Sequence, residues 1–173
     1  MSKDLLMIRV IVPIGRLMSA MLLALALCVR PVSAAPQDKV RVSQLSDVNF
    51  GTVGLAGGDY VIAQDLCVYS SANNGGYSVV ATGTSQASEF VLVSGAKALG
   101  LEVQWADSAG QQSGQQLLPG VALGGQFADA RQHQCNSGPP ASASLIVILR
   151  ANSINSATAG NYAGTLNILI APQ

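Results

Sequence analysis

Leu99-Gly100-Leu101-Glu102-Val103-Gln104-Trp105-Ala106 places a large apolar side chain at every second position, with small or polar residues between. Successive side chains of a strand point to opposite faces, so the stretch predicts a β-strand with one face in a core. Residues 145–149 (LIVIL) are apolar throughout, as expected of a central strand covered on both sides. Residues 59–69, 77–81 and 90–93 give further strands, and Tyr162, Leu166, Ile168 and Ile170 alternate along a last one interrupted by Gly164. The plainest turn is SSANNGG at 70–76, because Asn and Gly tolerate positive φ. No convincing helix emerges beyond one short turn within 153–159. About seven or eight short strands separated by turn residues predict a single all-β domain, an antiparallel β-sandwich.

Upstream of this domain the chain reads as a secretion signal. Lys3, Arg9 and Arg16 are followed by the apolar run 17–29 (LMSAMLLALALCV) and by the small-residue site Val32-Ser33-Ala34. A cut after Ala34 is expected, since a cut after Ala35 would leave Pro36 at the new N-terminus. The apolar run is short for a membrane anchor. Leu27 before Cys28 does not suit a lipoprotein signal. Of nine basic and nine acidic residues, Lys3, Arg9, Arg16, Arg30 and Asp4 fall before the cut, leaving five against eight and a formal charge of −3. A weakly acidic surface offers no electrostatic footprint for nucleic acid or anionic lipid. No later apolar run reaches the ~18 residues of a membrane span. The domain is therefore expected in the periplasm, on the cell surface or outside the cell.

Two cysteines follow the signal, Cys67 and Cys135, an even number for an oxidising compartment. They allow one intramolecular pairing, Cys67–Cys135, with two unpaired buried thiols as the alternative. Without a C-x-x-C motif the bridge would be structural.

Reactive groups are scarce. His133, the single histidine, lies close to Asp129 and Cys135 in one Gly- and Pro-rich loop. Nucleophilic sites instead join distant segments on rigid elements, and an oxidised Cys135 has no thiolate to attack with. One histidine and two bridged cysteines do not make a zinc site, and residues 107–110 lack the acidic pattern of a calcium loop. Residues 54–58 (GLAGG) lack the Lys-Ser or Lys-Thr of a phosphate loop and read as a bend. Trp105 reads as a core or sheet-edge aromatic, with a sugar-stacking face as the alternative. Nothing pairs Glu102 with Asp107 as acid and base. The expectation is a protein that is no enzyme, with no catalytic residue, metal or cofactor.

Three ordered segments resemble the chaperone–usher pilus subunits of the spore coat protein U type. Residues 45–52 (LSDVNFGT) are similar to that family's first strand. Cys67-Val68-Tyr69-Ser70, followed by Tyr77-Ser78-Val79, is similar to its second, and residues 159–168 (AGNYAGTLNI) to its closing strand. The resemblance implies an incomplete immunoglobulin-like sandwich that lacks its last strand. A periplasmic chaperone, then the N-terminal arm of a neighbouring subunit, fills the resulting groove by β-strand addition. The sequence given ends at Pro172-Gln173, directly after the closing strand, which agrees with an open sheet edge there.

On this reading residues 1–34 are signal, 35–44 a short arm and 45–173 the pilin-like domain. Leu145, Val147, Leu149, Leu166, Ile168 and Ile170 line the groove, and Val40 and Val42 are the apolar pair of a donor arm. Two departures from the family pattern stand out. Residues 45–52 contain no cysteine, which directs Cys67 to Cys135, and the arm carries only that one apolar pair. A subunit at the end of a fibre, or a free-standing relative, is compatible with so short an arm. The alternative function is a self-contained secreted β-sandwich for binding or adhesion, in which residues 39–44 pair within their own sheet and no groove remains.

Overall fold

The computed structural model describes residues 38–55, 57–83 and 89–173. The signal and its cut at Ala34 and Ala35 lie outside the described residues. Among the described residues ten strands follow one another: β1 (Val40–Ser43), β2 (Tyr60–Ser70), β3 (Gly76–Gly83), β4 (Val91–Ser94), β5 (Lys97–Gly100), β6 (Glu102–Ala106), β7 (Gln115–Gln116), β8 (Leu123–Phe127), β9 (Ala143–Leu149) and β10 (Leu166–Pro172). All pairings are antiparallel. One sheet runs β1-β2-β9-β6-β7, the other β10-β3-β8, and β4 and β5 form a separate hairpin. The fold is an all-β sandwich, as the periodicity predicts.

Its core is built from the inward face of each strand. Leu66 and Val68 of β2, Val103 and Trp105 of β6, and Ala143, Leu145 and Val147 of β9 meet Tyr77, Val79 and Ala81 of β3. Burying such side chains contributes roughly 1.5–3 kcal/mol each. The β9 strand is buried along its whole length: the apolar run 145–149 is covered as predicted, and the buried Ser144 hydroxyl donates to the Asp65 carboxylate. Trp105 is fully buried. Its indole N–H donates to the Tyr77 hydroxyl at 3.1 Å, and the two rings meet edge to face with centroids 6.4 Å apart. That position removes the sugar-stacking alternative. Burial, together with the nearby Asp107 and Asp129, outweighs the indole hydrogen bond and pushes the Tyr77 hydroxyl up to about 12.

The turn at 70–76 forms as its residue types predict, with Asn74 at φ 58 and Gly75 at φ 76. The alternating stretch 99–106 is divided: Leu99 belongs to the β4–β5 hairpin and Val103 and Trp105 to β6. A short helix, Ala151–Ser156, replaces the single turn expected there and buries Ile154.

Cys67 in β2 and Cys135 in the β8–β9 connection are bridged, with Cα atoms 5.8 Å apart. The bridge spans 68 residues, a loop length for which chain entropy alone contributes about 4 kcal/mol. It holds the connection against β2, where Tyr69 and His133 stack at 4.4 Å.

The largest correction concerns the N-terminal part of the domain. Residues 45–52, read as the first strand, form no strand, whereas Val40–Ser43, read as arm, does. Val40 and Val42 pair with Ser70 and Val68 and pack against the main core. The Ser71 N–H donates to the Lys39 carbonyl, and the Lys39 N–H to the Ser71 hydroxyl, which carries the pairing one residue further. Four residues suffice for a strand when an eleven-residue neighbour presents its edge.

Candidate functional site

Along β10 the sandwich is not closed. The β10 strand pairs with β3 on one side, and no described strand is hydrogen-bonded to the other, although β1 of the facing sheet passes close to it. The parity of the ladder is fixed by the Gln173 N–H donating to the Gly76 carbonyl. Hydrogen-bonded pairs recur at every second residue of an antiparallel ladder, so Asn167, Leu169 and Ala171 face β3 with their backbone groups. Leu166, Ile168 and Ile170 therefore turn their N–H and C=O groups to the open edge, while their half-buried side chains face the core.

Opposite this edge runs the irregular segment 45–53. It makes no backbone–backbone hydrogen bond among the described residues. Side chains hold it instead. The Ser46 N–H donates to the Gln64 side-chain oxygen at 3.0 Å, Gln64 returns a bond to the Ser46 carbonyl at 3.1 Å, and the Gly51 N–H donates to Asn49 at 2.8 Å. Val48, Phe50 and Val53 from this segment pack on the core from the side.

Between the two lies a cleft of about 1000 Å³. Leu145, Val147 and Leu149 of β9 and Val103 of β6 contribute to its floor, Leu166 and Ile168 to one wall, and Val48 and Phe50 to the other. Phe90, Leu92, Leu99, Leu101, Ile154 and Tyr162 surround one end. The Tyr162 hydroxyl donates to the Thr158 carbonyl at 2.9 Å, which closes the turn before β10. Ala163 in that turn exchanges two backbone bonds with Val93 of β4, which ties the hairpin to the turn before β10.

Of the six residues expected in the groove, Leu145, Val147, Leu149, Leu166 and Ile168 line the cleft. Ile170 packs against the main core but is not among the lining residues. Val48, Phe50, Phe90, Leu99, Leu101 and Tyr162 all fall on stretches whose sequence predicts strands, and none of them is expected in the groove. The signal for Val48 and Phe50 was present in their alternation, which marks a segment with one apolar side.

Cys135, His133 and Glu102 are not among the residues that line the cleft, whereas Asp47 and Tyr162 are. Cys135 is oxidised and His133 is stacked on Tyr69. Glu102 is not matched with Asp107. It pairs with Arg150, at 2.6 Å, and Arg150 also reaches Asp59 at 2.7 Å. Among the described residues no three His, Cys, Asp or Glu side chains are grouped to hold a metal ion, and no helix is long and apolar enough to cross a membrane.

No family model matches the chain, and no curated protein matches it. Among solved structures it is similar to a chain from a chaperone–tip adhesin complex of CFA/I fimbriae biogenesis, at 20% identity and a TM-score of 0.49, over 79% of this chain and 41% of that one. It is also similar to a chain from the CsuC–CsuE chaperone–tip adhesion subunit pre-assembly complex of archaic chaperone-usher Csu pili of Acinetobacter baumannii. That match has 15% identity and a TM-score of 0.41, over 78% and 39% of the two chains. The chain thus spans about two fifths of the length of these structures.

Proposed function

We propose that this chain is a non-catalytic structural subunit of a surface fibre of the chaperone–usher kind, and that it completes its sandwich by accepting a β-strand from a partner. The observation that carries the reading is the unpaired edge of β10 beside an apolar cleft, faced by a segment whose backbone is also unpaired. An inserted strand with apolar residues at alternate positions would bond to Leu166, Ile168 and Ile170 and seat its side chains on Val103, Leu145 and Val147. Such an edge in isolation invites aggregation, which is the reason a chaperone is needed before assembly. Export through the predicted signal accords with a disulfide, which persists in oxidising compartments. A structural role accords with an oxidised Cys135 and a lone histidine packed on a tyrosine.

The self-contained module remains a second reading, favoured by one observation: residues 40–43 pair within their own sheet. The test is to export the chain with and without a periplasmic chaperone of this class. Under the proposal the two co-purify as a one-to-one complex, and the yield of soluble chain falls sharply when the chaperone is absent. A soluble monomer obtained in equal yield alone, with no complex formed, would favour the self-contained module.

A further inference from the structure

We infer that Gln64 is a positioning residue for the cleft: its side-chain amide stands in for a strand beside residue 46 and, together with Tyr60, holds the lip 45–53 in place for an incoming strand. The inference rests on the acceptor role proposed above. Directly opposed residues of an antiparallel pair share a face, and Tyr60, Ile62, Gln64 and Leu66 of β2 lie opposite Leu149, Val147, Leu145 and Ala143 of β9. Gln64 therefore sits on the inward face, between Ile62 and Leu66, where alternation reserves a place for an apolar side chain. It lines the cleft beside Leu145. Both ends of its amide go to one residue. Oε1 accepts from the Ser46 N–H at 3.0 Å and from the Ser46 hydroxyl at 2.9 Å, and Nε2 donates to the Ser46 carbonyl at 3.1 Å. Accepting from the N–H and donating to the C=O of one residue is what a hydrogen-bonded partner does in an antiparallel ladder. Further up the same face of β2, the Tyr60 hydroxyl accepts the Gly54 N–H at 3.3 Å. The lip is thus tied to β2 near both ends by side chains, and Val48 and Phe50 between the ties line the cleft. Ser46 is exposed, so water can replace its bonds if Gln64 is lost; what disappears is the fixed place of the lip. A lip that frays or falls into the cleft lowers the fraction of chains ready to accept a strand, and the apparent affinity falls with that fraction.

The test compares the exported chain with the variants Gln64→Met and Ser46→Pro. The probe is a peptide as long as β10, seven residues, that alternates threonine and valine. Methionine is unbranched like glutamine and suits the inward face, but cannot reproduce the amide's bonds to Ser46. Proline removes the N–H that Gln64 accepts, acting from the exposed lip without touching β2. Calorimetry gives the peptide affinity and circular dichroism the melting temperature. The natural chain should bind the peptide one to one. Both variants should bind it about tenfold more weakly, and at least one should melt with the natural chain. Affinity equal to the natural chain's in either variant would overturn the inference and leave the acceptor role intact. A lower melting temperature accompanying the weaker binding in both variants would also overturn it, because Gln64 would then support the fold and not the lip alone. Absence of binding by the natural chain would overturn the acceptor role and this inference with it.

Discussion

At the scale of single residues, the two sheets are tied by the contact between Trp105 and Tyr77. Changing Tyr77→Phe would leave the indole N–H buried without its acceptor, a loss of about 1–3 kcal/mol. Urea denaturation should show it, and a variant as stable as the natural chain would mean the hydrogen bond contributes nothing net. Arg150 sets a second expectation, between Asp59 and Glu102. The Ala151 N–H and the Arg150 guanidinium hold the Asp59 carboxyl below its ordinary value of 3.8. Burial works to raise Glu102, but hydrogen bonds from Gln104 and Arg150 prevail and hold it below 4.5. Both groups are thus more acidic folded than unfolded. Their stabilisation is complete above those ordinary values and is lost as pH falls through the folded ones. The melting temperature should fall more steeply on acidification below about pH 4.5 in the natural chain than in Asp59→Asn with Glu102→Gln; parallel slopes would contradict this. Trp105 was legible in the sequence because alternation assigns a face to each residue. The Arg150 cluster was not, since Asp59 lies just before β2, Glu102 in β6 and Arg150 just after β9, and spacing carries no information about that meeting.

At the scale of elements, the turn before β10 depends on a close approach. A Cβ at Gly164 would collide with the carbonyl oxygen of Val91 and press on Leu92. Gly164→Ala should therefore push the β4–β5 hairpin off residues 160–164 and destabilise the chain by about 1–3 kcal/mol. Thermal denaturation measures it, and an unchanged midpoint would show that the hairpin yields freely. Elements whose partners lie in the chain were readable: 145–149 as a central strand, 77–81 as β3, and the glycine- and asparagine-rich turn between β2 and β3. The segment 45–53 misled for a physical reason. Its alternating apolar residues are those of a strand, but a strand is defined by backbone pairing, and no described segment offers Val48 or Phe50 a partner. Val40 and Val42 misled in the opposite sense. Four residues show too little periodicity to announce a strand, and only the long edge of β2 makes them one. The helix Ala151–Ser156 was hidden by its polar sequence, with Ile154 its single buried anchor.

At the scale of the whole molecule, the central claim is that the described sandwich lacks one strand beside β10. The same claim explains the cleft, the unpaired segment 45–53 and the misreading of that segment. It makes a prediction specific to alternate residues, measurable by residue-resolved amide hydrogen exchange on the exported chain without partner. Amides that face β3, at Asn167, Leu169 and Ala171, should exchange slowly. Those that face the cleft, at Leu166, Ile168 and Ile170, should exchange fast and become protected when a strand-donating peptide is added. Uniform slow exchange along β10 in the isolated chain would contradict the account, because it would mean that another part of the molecule already occupies the edge.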